Sequence, residues 1–189
     1  MKKQNSTLRL AVVGLLAALV FVSSMLQIKI PMPVGTPTRL HLGNVFCLLS
    51  GFVLGPIPGG LAAGIGSFLY DLMNPEYIAD SPFTFLFKFL MAFVCGKIAR
   101  FHGNTAEKVR LNFLAAAAGS LTYIILYVCK GFVQNMLLGM EVTPALIQLA
   151  TKFGVSCTNA VLAVIVSVPL FLVIRKSLQR TGLLEKLEL

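Results

Sequence analysis

The chain has 189 residues, 57% of them hydrophobic and only 12% charged, with a formal net charge of +9 and a mean hydropathy of +0.85. A soluble domain carries about 25% charged residues, so this composition excludes a soluble enzyme, and its apolar content excludes a disordered binder. At about 20 apolar residues per crossing, there is room for roughly six membrane spans and no further soluble domain.

The first apolar run, Leu10–Ile28, follows Lys2, Lys3 and Arg9 and predicts a helix over about 8–28. It is longer than a leader core and no A-x-A site follows, so it reads as a retained helix. In Lys29–Arg39, Pro31, Pro33, Gly35 and Pro37 forbid a regular helix. Leu40–Tyr70 holds no Asp, Glu, Lys or Arg, yet Gly55-Pro56-Ile57-Pro58-Gly59-Gly60 breaks it into helices near 40–55 and 58–73. Asn74–Pro82 is turn-rich, a fourth helix follows near 83–99, and Arg100–Arg110 is a basic loop. Helices near 111–138 and 145–174, joined around Gly139–Pro144, complete the chain before a basic tail. The fold class expected is an all-α integral membrane protein, one domain over 1–189 with six transmembrane helices.

With the N-terminus in the cytoplasm, Lys2, Lys3, Arg9, Lys97, Arg100, Lys108, Arg110, Arg175, Lys176, Arg180 and Lys186 are all cytoplasmic, eleven of the sixteen Lys and Arg. Lys29 and Arg39 fall on outer loops with Glu76, Asp80 and Glu141. By the positive-inside rule both termini are expected in the cytoplasm. The positive charge then records topology in a lipid bilayer, and nucleic acid is not a partner. Cys47, Cys95, Cys129 and Cys157 lie far apart in apolar runs without metal-ligand spacing. His102 stands alone in the basic loop, and no phosphate loop, HExxH or GxSxG motif occurs. No catalytic residue, metal or cofactor is expected.

Ionisable residues at bilayer depth are functional candidates. Asp71, Lys88, Lys130 and Lys152 sit on four helices, all in their outer halves. Helical spacing puts Gly60, Gly64, Ser67, Asp71 and Asn74 on one stripe, and Thr84, Lys88, Ala92, Cys95 and Ala99 on another. The fifth helix lines up Ala116, Ser120, Tyr123, Tyr127, Lys130 and Gln134, and the sixth Ala145, Gln148, Lys152, Ser156, Asn159 and Ala163. His41 and Asn44 lie at the outer end of the second helix. Lys88 either pairs with Asp71 or meets a ligand; Lys130 and Lys152 either bind a ligand or snorkel to the interface; His41 is either interfacial or a ligand contact. Together they predict a polar pocket in the outer half of the bundle, where Tyr123 and Tyr127 could stack on a planar ligand. Loop 29–39 would be its lid, with loop 74–82 beside it. No comparable stripe continues through the inner half, which argues against an open channel. On the first helix Ala11, Gly14 and Ala18 form a small-residue stripe, suited to an internal contact or a partner protein.

These features resemble the substrate-binding S components of energy-coupling factor (ECF) vitamin transporters. The resemblance rests on the six-helix chain, on Ala11/Gly14/Ala18, and above all on Arg39–Leu72, where Gly55-Pro56, Gly59 or Gly60, Gly64 and Asp71 look like the family's G-P-x-x-G-x-x-x-G pattern ending in an acidic residue. It implies a non-enzymatic, high-affinity binder of a vitamin-like small molecule in the plasma membrane. The binder would dock through helix 1 on a transmembrane T component joined to two ABC ATPases. The resemblance points to Lys88, Tyr127, Lys130, Gln134, Gln148, Lys152 and Asn159 as the ligand site, with Asp71, Asn44 and His41 from the stripes beside them. Three lysines favour a carboxylate or phosphate ligand such as pantothenate, folate, nicotinate or a phosphorylated vitamin; riboflavin stays open, because Lys and Asn also hydrogen-bond a neutral ring. One rival reading is a self-sufficient secondary transporter of a small organic anion, which would be expected to show internal repeats. The other is an intramembrane enzyme using His41 and Asp71.

Overall fold

The computed structural model describes residues 6–32, 37–101 and 106–183. Lys2, Lys3, Pro33, Gly35, His102 and Lys186 lie outside the described residues. Six helices form the body: α1 Ser6–Met25, α2 Gly43–Leu54, α3 Pro56–Leu72, α4 Ser81–Ala99, α5 Val109–Leu137 and α6 Val142–Arg180. A short 3-10 turn, Ile78–Asp80, precedes α4. Four segments have the length and composition to cross a membrane: α1, the 3-10 turn running into α4, α5 and α6. At 12 and 17 residues, α2 and α3 are shorter than the roughly 20 residues of a full crossing.

The chain is not purely helical. Strands β1 Gln27–Ile30 and β2 Thr38–His41 pair antiparallel, Gln27 opposite His41 and Lys29 opposite Arg39. Helices α1 and α2 are correspondingly shorter than expected, because the proline-rich segment carries a strand on each side. At the other terminus α6 runs on through the basic tail to Arg180 and accommodates Pro169.

Packing is inverted relative to a soluble globule. Leu15, Val22, Leu114, Leu121, Ile147, Val161, Ile165 and Val173 are exposed, whereas Asn44, Lys88, Asn135, Lys152 and Asn159 are buried. An apolar exterior around a partly polar interior suits lipid rather than water. Nearly every residue of α2 is buried, since it packs against α1, α3, α4, α5 and α6. It turns into α3 at Gly55, whose φ of +83° is open to glycine, and Pro56 then starts α3 where its missing N–H is not needed. Gly51 and Gly96 let the α2 and α4 backbones meet, and Gly60 and Gly64 of α3 seat the rings of Phe89 and Phe85.

The bundle has two ends of different chemistry. The hairpin end gathers β1, β2, the 3-10 turn and the α5–α6 junction. At the opposite end, Arg100 donates to the carbonyls of Gly51 (3.0 Å), Phe52 (2.9 Å) and Val53 (3.3 Å), adding to the Gly55 N–H bond at Gly51 and supplying donors to the end of α2, where helical N–H groups run out. Arg100→Met is expected to destabilise the protein by about 2 kcal/mol or more, because charged hydrogen bonds are lost and the Phe52 and Val53 carbonyls lose this donor. Thermal unfolding in detergent would read this as a lower Tm, partly restored in Arg100→Lys.

Candidate binding site

The site is built where β2 crosses the hairpin end of the bundle. Like charges face each other across the ladder at Lys29 and Arg39, and each is balanced by a carboxylate from another element. Lys29 pairs with Glu76 at 2.7 Å, tying β1 to the segment before the 3-10 turn. Arg39 pairs with Asp71 of α3 at 2.6 Å, and its guanidinium lies 4.7 Å from the Tyr70 ring centre and 4.2 Å from that of Tyr77. The cation of this ion pair therefore also has two aromatic rings within cation–π range.

Asn159 of α6 holds β2 from the other side. Its Oδ1 accepts from the His41 backbone N–H (3.0 Å) and its Nδ2 donates to the Arg39 carbonyl (2.8 Å). One amide side chain thus occupies the strand edge as a neighbouring strand would. Tyr127 reaches Thr38 across 3.3 Å. Gln27 hydrogen-bonds the Tyr70 hydroxyl.

Between these elements lies a cavity of about 40 Å³ lined by Thr38, Arg39, Asp71, Tyr77, Asp80, Thr84, Tyr123, Tyr127, Ser156 and Asn159, with Pro37 at its edge. Tyr123 and Tyr127 stack with ring centres 5.6 Å apart and planes 11° off parallel. Small-molecule sites are roughly 300 Å³ or more, so the cavity in this structure is too small for a vitamin-sized ligand. A wider opening of about 530 Å³, lined by Pro31, Met32, Met140, Pro144, Ile147, Gln148 and Thr151, lies between β1 and the start of α6.

Of the residues expected at the site, Asp71, Tyr127 and Asn159 line the cavity. His41, Asn44 and Lys88 are buried next to it: Lys88 donates to Asn44 Oδ1 and lies 3.6 Å from the Tyr123 ring centre. This corrects the alternative in which Lys88 pairs with Asp71, whose partner is Arg39. Lys130 bonds Asp80 and, at 2.7 Å, Gln134. Its charge is therefore balanced by a carboxylate expected on an outer loop, and it does not snorkel. Lys152 is buried with its Nζ 5.8 Å from the Tyr127 ring centre. Gln148 accepts from Asn135 at 3.0 Å and borders the wider opening rather than the closed cavity.

The charge pattern alone assigns Arg39 to an outer loop; in the fold it stands on β2 and is part-buried, with 12% of its side chain exposed. Tyr77 and Asp80 belong to the site although no helical stripe marks them. The available signal is an arginine bordering a 31-residue stretch without charge, Leu40–Tyr70, because an acidic residue, Asp71, ends the same stretch. On α1, Ala11, Gly14 and Ala18 are exposed and a Cβ on Gly14 would meet nothing within 4 Å. The stripe points away from the bundle, which corrects the alternative of an internal contact.

His41 ends β2 and starts α2, its Nδ1 accepting the Gly43 N–H at 3.1 Å. Burial, then Lys88, then Arg39 hold its pKa well below the ordinary value, so it stays neutral in the folded protein. The unfolded chain takes up a proton below about pH 6.5 and the folded one does not, so stability falls as pH drops through that value, by at most about 1.4 kcal/mol per pH unit. Melting from pH 7.5 to 5 is expected to show this slope, and His41→Asn, which keeps an acceptor for Gly43, is expected to flatten it.

The sequence profile of the family described as "ECF-type riboflavin transporter, S component" matches residues 4–176. The chain belongs to this family: it is a membrane-embedded, substrate-binding S component of an ECF-type transporter, and the family is one of transporter subunits, not of enzymes. No curated protein matches the chain. A solved structure described as "Structure and mechanism of the S component of a bacterial ECF transporter" is similar over 94% of this chain and 98% of that one, at 22% identity and a TM-score of 0.62. At that identity the likeness is one of fold.

Proposed function

We propose that this chain is the high-affinity binding subunit of an ECF-type ABC importer for riboflavin or a closely related water-soluble flavin, captured from outside the cell and delivered through a separate ATP-driven module. The observation that carries the reading is the cavity under the hairpin, with stacked tyrosines on one wall and hydrogen-bonding groups on the others. That combination suits a planar, conjugated, polar but uncharged ligand. Two cations that reach carboxylates support the neutral choice, Asp71 answering Arg39 and Asp80 answering Lys130, while Lys88 is hydrogen-bonded to the neutral amide of Asn44. The family's printed name supplies riboflavin as the ligand that meets this description.

In this reading one membrane domain spans the plasma membrane with six helices, the two short ones completed by the segments that flank them. Basic residues concentrate at the end opposite the hairpin, so that end and both termini are cytoplasmic, and the hairpin end faces outward. The exposed Ala11/Gly14/Ala18 face of α1 is the docking surface for the T component, which couples the binder to two ABC ATPases. The closed cavity makes the hairpin a lid that must lift to admit a flavin. Vesicles holding the chain alone are expected to bind riboflavin without accumulating it, whereas co-reconstitution with a T component, the ATPases and ATP gives uptake. Accumulation by the chain alone would favour the secondary-transporter reading instead.

A further inference from the structure

Among the described residues, two polar atoms of the cavity lining are buried without a hydrogen-bond partner: Arg39 Nη1 and the Tyr77 hydroxyl. Both residues line the closed cavity, and buried polar groups left unmatched are rare enough to require a reason. Neither is loosely placed. The Arg39 guanidinium bonds Asp71 through Nη2 and lies over the Tyr77 ring at 4.2 Å, so the two side chains are in direct contact. Burial raises the Tyr77 phenol above its ordinary pKa, so the hydroxyl keeps its proton to donate. The Asp71 carboxylate, an acceptor, lines the same cavity.

We propose that Arg39 Nη1, the Asp71 carboxylate and the Tyr77 hydroxyl form a donor–acceptor–donor edge that reads an imide, carbonyl–N–H–carbonyl, on a planar ligand. The inference deepens the function proposed above and rests on it: riboflavin carries such an imide on its pyrimidine ring. A carboxylate or phosphate ligand fits this edge badly, because Asp71 would face it. A cation fits badly because the arginine would. A neutral imide gives each protein group a partner and leaves its ring face for the tyrosine wall. Arg39 and Tyr77 are therefore specificity-determining residues on the lid side, separate from the lysines of α4, α5 and α6.

The test is titration of the whole chain in detergent, read by flavin fluorescence, with riboflavin, lumiflavin (same imide, no ribityl chain) and 3-methylriboflavin (imide N–H blocked). Wild type is expected to bind 3-methylriboflavin at least ~100-fold more weakly than riboflavin, since the acceptor is left unpaired and a methyl group is forced against it. Tyr77→Phe is expected to weaken riboflavin and lumiflavin by the same factor, about tenfold for one hydrogen bond. Its ligand-free Tm should not fall, because the hydroxyl makes no hydrogen bond among the described residues. Arg39→Lys, which keeps the charge beside Asp71 but not the planar fork, should weaken both flavins as well. Riboflavin binding that is indifferent to Tyr77→Phe and to N3 methylation overturns the imide edge while leaving the function standing. Absence of any flavin binding by wild type overturns the function, and the imide edge with it.

Discussion

Replacing Asp71 with Asn is expected to be the most damaging single change in the site. It leaves the part-buried Arg39 guanidinium beside Tyr70 and Tyr77 without the carboxylate that answers it. Breaking a buried pair by removing one partner costs about 3–5 kcal/mol, whereas replacing both partners by apolar groups of similar size is often near neutral. The double variant Arg39→Met/Asp71→Leu should therefore recover most of the stability lost in Asp71→Asn. It should not recover flavin binding, since the polar edge of the cavity is gone. Melting temperature and riboflavin affinity, measured on both variants, separate the two roles. Recovery of both by the double variant would mean that the pair serves only the fold.

The second large effect is expected at Asn159. Alanine there removes the two bonds that hold β2 to α6 and strands the buried N–H of His41, at about 1–3 kcal/mol for the unsatisfied group. In the proposed function those bonds hold the hairpin lid, so the loss should appear as faster release: riboflavin dissociation accelerated roughly 10- to 100-fold, at a cost of about 1.4 kcal/mol per tenfold. Hydrogen exchange at residues 38–41 should quicken in the same variant. If those amides stay as protected as in wild type, Asn159 does not secure the lid, and any loss of affinity comes from contact with the ligand.

Much of this architecture is legible in the order of the residues. The scarcity of charge and the glycine–proline break at 55–60 mark a membrane bundle and its α2–α3 turn. Periodicity picks out Asp71, Tyr127 and Asn159, because a helix repeats its inward face every three to four residues. The same logic fails on the lid. QIKI and TRLH are four-residue strands paired across a proline-rich interval, and pairing at such a separation leaves no local period to read. Arg39, Tyr77 and Asp80 stand on a strand and a turn, so nothing in their spacing assigns them a side. The partner of Asp71 is hidden for a related reason: helix-to-helix depth favours Lys88, while no local pattern reveals the strand that carries Arg39 over the bundle. Conversely, the Ala11/Gly14/Ala18 stripe is plain in the sequence, but only the packed bundle shows that it points outward, because α1 turns Leu16, Ala17 and Val20 inward instead.

Native mass spectrometry of the chain purified alone tests the central claim most directly, with any released small molecule identified by its absorption and mass. The account predicts one flavin per chain, carried through purification or restored by adding riboflavin, and lost in Asp71→Asn. A chain that stays empty after incubation with riboflavin, while taking up an anionic vitamin such as pantothenate or folate, would contradict it.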